Sequence, residues 1–170
     1  MKELRTRKPN RLAEYDYSRP GCYFLTICVV ERHPILRCRG AQCAPAAGLP
    51  ELSYAGMVTE QAILGIAAHY PHVSVEKYVI MPNHIHMILR IDRGRTLCAP
   101  TKDDAERNMV ARVVKHMKAY VTKTIGYSIW QKSYHDHIIR NEADYLRIWN
   151  YIDTNPEKWR EDRYYTEKEV

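Results

Sequence analysis

The sequence predicts an α+β fold, a ferredoxin-like (split βαβ) antiparallel sheet with helices on one face, followed by a C-terminal helix that carries a tyrosine. The hydrophobic patterns along the chain predict this fold, because they indicate the element order strand, helix, strand, strand, helix, strand, helix. A Met-Pro-Asn turn at 81–83 joins two β-rich runs and makes them a hairpin. With 170 residues, 45% of them hydrophobic, we expect residues 1–170 to form one domain.

The first half of the chain contains three predicted strands and one helix. Residues 23–30 are aromatic and β-branched, which predicts a buried strand in the centre of the sheet. Residues 34–52 have loop composition and no period, so they form a surface excursion or a weak edge hairpin, without an assigned function. Ser53 is a good N-cap for the first helix, which a His-Tyr-Pro sequence ends. Residues 73–80 and 84–91 form the hairpin.

The second half contains two helices and the fourth strand. An acidic pair at 103–104 precedes the second helix, whose apolar stripe ends at Gly126. Residues 133–140 predict the fourth strand. Asn141 is the expected N-cap of the last helix, which runs past Tyr151 until a proline ends or kinks it.

The charge balance favours a polyanionic partner. The chain has 26 Lys and Arg against 20 Asp and Glu, a formal net charge of +6, and nucleic acid is the natural candidate. The outer face of the second helix carries several cations, of which Lys115 and Lys118 are candidate DNA contacts. The alternative for this face is an ordinary solvated surface.

Cysteine usage and hydropathy indicate a cytoplasmic protein. The five cysteines are an odd number without a C-x-x-C pair, in a chain without a secretory leader, so we expect reduced thiols. Cys38 and Cys43 could be half of a zinc site, but no second pair has ligand spacing. No apolar run approaches the roughly 20 residues that a transmembrane helix needs. We therefore expect no membrane contact.

The most informative residues are two histidines near the start of the third strand. Because residues two apart in a strand point to the same side, His84 and His86 share one face of the sheet. Ile85 and Met87 then point to the other face, where a hydrophobic core can hold the strand. Two imidazoles on one face can bind a metal ion, which normally takes a third protein ligand.

The last helix offers that ligand together with a nucleophile. Tyr151 and Asn155 are four residues apart, so one helical face presents a phenol and an amide oxygen. Taken singly, each residue has a plainer interpretation: a strand histidine, a core aromatic and a helix-stop asparagine.

Several segments resemble known sequences. Met81-Pro-Asn-His-Ile-His-Met-Ile88 resembles the His-hydrophobe-His motif of HUH single-strand DNA transposases and nucleases. Five further segments resemble the REP-associated tyrosine transposases, a single-tyrosine branch of that superfamily, over roughly residues 5 to 160: Tyr15-Asp-Tyr-Ser18, Gly21-Cys-Tyr-Phe-Leu-Thr-Ile27, Trp130-Gln131, His137-Ile-Ile-Arg-Asn141 and Tyr151-Ile-Asp-Thr-Asn-Pro156.

This resemblance implies a metal-dependent enzyme that nicks and rejoins single-stranded DNA near hairpin-forming repeats. His84, His86 and Asn155 would bind a divalent ion, Mg²⁺ or Mn²⁺, and Tyr151 would attack the phosphate to give a 5′-phosphotyrosine and a free 3′-OH. We expect a monomer, as in the repeat-associated branch, with the dimer of the mobile enzymes as the alternative. The basic N-terminal arm, residues 1–19, would recognise bases beside the hairpin through Arg5, Arg7, Lys8 and Arg11, unless it is simply a solvated arm.

Other interpretations compete with this one. His135 and His137 form a second pair two residues apart in a strand and are an alternative metal site, although His137 could instead contact a DNA phosphate. Histidine-triad nucleotide hydrolases also alternate histidines with apolar residues, but the third position here is Ile88. A ferredoxin-like nucleic-acid-binding module without catalysis would use strand aromatics such as Tyr23 and Phe24 for stacking.

Overall fold

A computed structural model describes residues 15–17, 19–38, 51–92 and 108–165. Four strands form one antiparallel sheet in the spatial order Val73–Ile80, His84–Ile91, Gly21–Cys28, His135–Ile139, which confirms the ferredoxin-like prediction. The strands are β1 (Gly21–Cys28), β2 (Val73–Ile80), β3 (His84–Ile91) and β4 (His135–Ile139), and the helices are α1 (Tyr54–Leu64), α2 (Ile66–His69), α3 (Met109–Ile125) and α4 (Glu142–Thr154). Residues 1–14 and 18 of the basic arm, residues 39–50 and the acidic pair at 103–104 lie outside the described residues.

The central strand and the hairpin follow local sequence patterns. β1 lies between β3 and β4, as its apolar composition predicted, but it covers residues 21–28 rather than 23–30. It ends early because Val29 forms only an isolated bridge with Trp130 and the chain then turns away. β2 and β3 have the predicted bounds, since the proline and asparagine between them form the turn.

The two faces of the sheet have different partners. Ile85, Met87 and Leu89 point to the main core, which α1 and α3 cover. The opposite face carries His84, His86 and Ile88, and Ile88 packs against Ile148 and Ile152 of α4. Burying each of these isoleucines contributes roughly 1.5–3 kcal/mol, so α4 is fixed on the histidine face by packing.

The helix ends explain how α1 and α4 are placed. The Ser53 hydroxyl accepts a hydrogen bond from the Gly56 amide at 3.1 Å, and the Asn141 side chain accepts one from the Asp144 amide at 2.8 Å, so both predicted N-caps are present. A Cβ at Gly56 would lie 2.0 Å from the Leu36 carbonyl oxygen, which is why this position is glycine. The single first helix predicted from the sequence is instead divided at Gly65 into α1 and α2.

No helix among the described residues combines the length and apolar character that crossing a bilayer requires.

Candidate metal and nucleophile site

The two motif histidines face each other on the sheet. Their Nε2 atoms are 2.9 Å apart, and both side chains are almost completely buried. With metal–nitrogen bonds of roughly 2.0–2.1 Å, two nitrogen ligands lie about 2.9 Å apart at right angles and about 3.4 Å apart in a tetrahedron. The spacing of the two nitrogens therefore suits a shared metal ion.

The other nitrogen of each imidazole is already hydrogen-bonded. His84 Nδ1 lies 2.8 Å from Asn83 Oδ1, and His86 Nδ1 lies 2.9 Å from the Thr26 hydroxyl. The Asn83 amide cannot be turned around, because its Nδ2 donates to the carbonyl oxygens of Arg32 at 3.1 Å and Tyr164 at 2.8 Å. His84 must then donate from Nδ1, which leaves a lone pair on Nε2 for a metal.

Burial keeps both histidines neutral. Burial first, and then the positive charges of Arg163 and Arg32, lower the pKa of His84 from 6.5 to about 3. Burial and the neighbouring His84 lower the pKa of His86 well below its ordinary value. Neutral imidazole is the form that binds metals, so both side chains are ready as ligands at neutral pH.

Asp162, which the sequence analysis missed, brings a carboxylate to the pair. Among the described residues, His84, His86 and Asp162 form a group whose possible ligand atoms all lie within 4.8 Å of one another. The backbone amide of Tyr164 donates to Asp162 Oδ1 at 2.7 Å, which fixes the carboxylate. In the sequence Asp162 is one acidic residue in a charged run after the last helix, with no spacing that marks it.

Asn155 lies beside this carboxylate and is 3% exposed. Its Nδ2 donates to Asp162 Oδ2 at 2.8 Å, whereas its buried Oδ1 has no hydrogen-bond partner among the described residues. An unpaired buried acceptor is costly, and a bound cation would satisfy it. Two imidazole nitrogens, one carboxylate and one free amide oxygen are a donor set that fits a divalent metal ion.

Tyr151 reaches the same group from α4. Its hydroxyl lies 3.2 Å from His86 Nε2 and donates to Asp162 Oδ2 at 3.2 Å, while the residue as a whole is 38% exposed. Burial, followed by the negative charge of Asp162, raises the pKa of Tyr151 from 10.0 to about 12. The phenol is thus accessible to a substrate, and it is protonated at neutral pH in the metal-free chain.

The segment after α4 closes one side of the site. The Tyr164 ring lies 4.6 Å from the His84 ring, and Trp159 lies on the same side at 5.9 Å. The guanidinium groups of Arg163 and Arg32 lie over the Tyr164 ring at 4.6 and 4.9 Å. This aromatic and cationic cover is also the source of the positive charges that act on His84.

The other side of the site opens into a groove of about 390 Å³. Its walls are formed by β1, β4, α4 and the segment after α4 through the following residues: Phe24, His86, His137, Arg147, Ile148, Tyr151 and Arg163.

The predicted DNA contacts fall in three different places. His137 lines this groove and bonds to Asp144 at 2.7 Å. Lys115 and Lys118 lie on α3, across the sheet from the histidines, and Lys118 donates to the carbonyl oxygens of Gln131 and Ser133. The structure therefore does not bring these two lysines to the site. Arg5, Arg7, Lys8 and Arg11 of the N-terminal arm lie outside the described residues.

Two alternative sites are less well supported. His135 and His137 belong to no group of three metal-ligating side chains among the described residues, and His137 is bonded to Asp144. Ile88, which occupies the third position of a histidine-triad pattern, is completely buried against α4.

The chain is similar to a known sequence and to a solved structure. An uncharacterized protein of Haemophilus influenzae is 30% identical over 180 residues, covering 95% of this chain and 94% of that protein. The solved structure of a REP-associated tyrosine transposase bound to a REP hairpin superposes with a TM-score of 0.60 at 23% identity, covering 94% of this chain and 74% of that one. At this identity the similarity shows a shared fold. No family model matches the chain.

Proposed function

The chain belongs to the same family as the H. influenzae protein and has the fold of a REP-associated tyrosine transposase, and we propose that it is a transposase-like enzyme that cleaves and rejoins single-stranded DNA. Tyr151 would be the nucleophile and His84 and His86 the metal ligands. The observation that carries this proposal is the meeting of an accessible phenol with two neutral imidazoles and a carboxylate, at 3.2 Å from His86 and from Asp162.

The reaction would exchange one phosphodiester for another. The Tyr151 oxygen forms a bond to the phosphorus of the scissile phosphate, and the bond from phosphorus to the 3′ oxygen breaks and leaves a free 3′-OH. The Tyr151 proton passes to Asp162 Oδ2, to which the phenol donates before the attack, and the departing 3′ oxygen takes a proton from water. Attack of a 3′-OH on the 5′-phosphotyrosine reverses the step, so rejoining needs no ATP.

The metal site would be formed by His84, His86 and Asp162, with the free Oδ1 of Asn155 as a further ligand. When bound there, Mg²⁺ or Mn²⁺ would offset the charge that accumulates on the scissile phosphate and favour the phenolate. Imidazole ligands suit transition metals better than Mg²⁺, and carboxylate and amide oxygens suit both. We therefore expect Mn²⁺ to bind more tightly than Mg²⁺.

Single-stranded DNA beside a hairpin is the proposed substrate. A tyrosine at the edge of a groove on a sheet face needs a bendable and accessible backbone, which a duplex does not offer. The structural neighbour was solved with a REP hairpin, and the net charge of +6 on this chain favours a polyanion. Arg5, Arg7, Lys8 and Arg11 are proposed to contact the DNA next to the hairpin, and Lys115 and Lys118 remain proposed contacts on the far side of the molecule.

A covalent adduct assay tests the proposal. The protein is incubated with Mg²⁺ or Mn²⁺ and labelled hairpin oligonucleotides carrying single-stranded flanks, and adducts are detected after denaturation. We expect an adduct that Tyr151→Phe and His84→Ala abolish and that the metal-free protein does not form. Tyr127→Phe, which changes a 61% exposed tyrosine in the loop after α3, is the matched control and should retain the adduct. Normal adduct formation by Tyr151→Phe would falsify the assignment of the nucleophile.

The same assay separates the alternatives. Reversible DNA binding without an adduct, with any of the metals, would instead identify a non-catalytic nucleic-acid-binding module. Nucleotide hydrolysis without metal would support a histidine-triad-like hydrolase, although Ile88 occupies the position of the third histidine in that pattern.

A further inference from the structure

Arg147 lies in the groove beside the proposed nucleophile. It precedes Tyr151 by four residues on α4, so the two residues lie on the same helical face and are separated by about 6 Å along the helix axis. Its side chain is 67% exposed and can therefore reach a ligand that enters the groove.

Asp144 holds this arginine in place. Arg147 Nη2 donates to Asp144 Oδ1 at 2.6 Å, and His137 Nε2 donates to Asp144 Oδ2 at 2.7 Å. The hydrogen bond from His137, followed by the one from Arg147, lowers the pKa of Asp144, so this carboxylate stays ionised at neutral pH. A guanidinium has five N–H donors, and the bond to Asp144 uses one of them.

The remaining donors of Arg147 suit a phosphate. Arg147 and Arg163 bring two positive charges to the groove, where Asp144 accepts from Arg147 and Asp162 accepts from Tyr151. A guanidinium can bind two phosphate oxygens at once, which makes arginine the usual side chain for this purpose. The free donors of Arg147 therefore suit a phosphate in the groove that Tyr151 also lines.

We propose that Arg147, held by Asp144 and His137, binds the DNA phosphate adjacent to the scissile one. The inference rests on the proposed function and extends it to the neighbouring nucleotide. Arg147 and Tyr151 lie on consecutive turns of α4 and line the same groove, so a strand whose phosphate reaches Tyr151 passes Arg147. The volume of about 390 Å³ accommodates the intervening nucleotide, with the Phe24 ring as one apolar wall.

Neutral phosphate substitution tests this contact one linkage at a time. Binding is measured with Tyr151→Phe protein, which cannot react. The DNA is a set of hairpin oligonucleotides, each with one methylphosphonate at a different linkage around the cleavage position. At the adjacent linkage the substitution should weaken binding by about tenfold or more, because it removes a charge-assisted contact. Adding Arg147→Gln should cause a similar loss with the unmodified oligonucleotide and no further loss with the methylphosphonate.

Control variants and salt dependence make the test specific. Arg112→Gln, which changes an exposed arginine on α3 across the sheet, should leave the ratio of the two affinities unchanged, even if α3 contacts the DNA elsewhere. Arg147→Lys should restore part of the affinity, since it keeps the charge and loses the paired donors. The negative slope of log affinity against log salt concentration should become shallower by about 0.7 in Arg147→Gln, as expected for the loss of one phosphate contact on a single strand.

The possible results distinguish this inference from the proposed function. One outcome is that the methylphosphonate weakens DNA binding by the Arg147→Gln variant as much as binding by the Tyr151→Phe protein at every linkage. Arg147 then contacts no phosphate, and the inference is wrong. An adduct formed by the unmodified protein would still support the function in that case. If no oligonucleotide binds and no adduct forms, both proposals are wrong.

Discussion

Replacing Asn83 with alanine should weaken both the proposed metal site and the segment that carries Asp162. The buried amide of Asn83 joins three parts of the chain: it accepts from His84 Nδ1 and donates to the carbonyl oxygens of Arg32 and Tyr164. Removing it leaves His84 free to change tautomer, which would place a hydrogen on the Nε2 that faces the metal site. It also releases Tyr164, whose backbone amide holds the Asp162 carboxylate.

The expected magnitudes follow from these bonds. Loss of a hydrogen-bonding partner of a metal-ligating histidine typically costs 10–100-fold in metal affinity, so we expect Mn²⁺ to bind about 10–100 times more weakly. Two of the three bonds are buried, and each unpaired buried group costs about 1–3 kcal/mol. The free energy of unfolding of the metal-free protein should fall by about 2–6 kcal/mol.

Isothermal titration with Mn²⁺ and urea unfolding without metal measure the two effects separately. Asn150→Ala, an exposed asparagine on α4, is the matched control and should change neither quantity. Asn83→Asp tests the tautomer argument, because its carboxylate still accepts from His84 but cannot donate to the two carbonyls. ¹⁵N chemical shifts of the imidazole should therefore show the wild-type tautomer in Asn83→Asp and a mixture in Asn83→Ala. Unchanged Mn²⁺ affinity in a folded Asn83→Ala protein would refute the reasoning.

Three further predictions concern the same face of the molecule. In metal-free Asp162→Asn, the pKa of Tyr151 should fall from about 12 towards 10.0, because a negative charge next to the phenol is removed, and NMR titration of ¹³C-labelled tyrosine measures it. The metal-free protein should lose stability as the pH falls from 6.5 towards 3, since the unfolded chain protonates His84 at 6.5 and the folded chain only near 3; the urea midpoint at each pH tests this, and His84→Gln should flatten the dependence. Ile152→Ala should lower the free energy of unfolding by about 2–5 kcal/mol by leaving a cavity under α4, whereas Leu146→Ala, at a 54% exposed position, should cost far less.

Local patterns were sufficient for most of the fold. The period of two in residues 84–91 predicted which side chains point to the core, and Ile85 and Met87 are there. Ser53 and Asn141 predicted helix starts because an N-cap depends on contacts within one turn of chain. The division of the first helix at Gly65 was missed, since the apolar spacing continues through it.

The sequence by itself determined that His84 and His86 share one side of a strand, and that Tyr151 and Asn155 lie on consecutive turns of a helix. These are consequences of backbone period, which neighbouring residues fix. Tertiary structure decided the rest: it brings the phenol within 3.2 Å of a histidine 65 positions away, and it joins Asn83 to a carbonyl 81 positions away. Asp162 enters the site, and Lys115 and Lys118 stay outside it, because packing of the two sheet faces sets distances that no local spacing encodes.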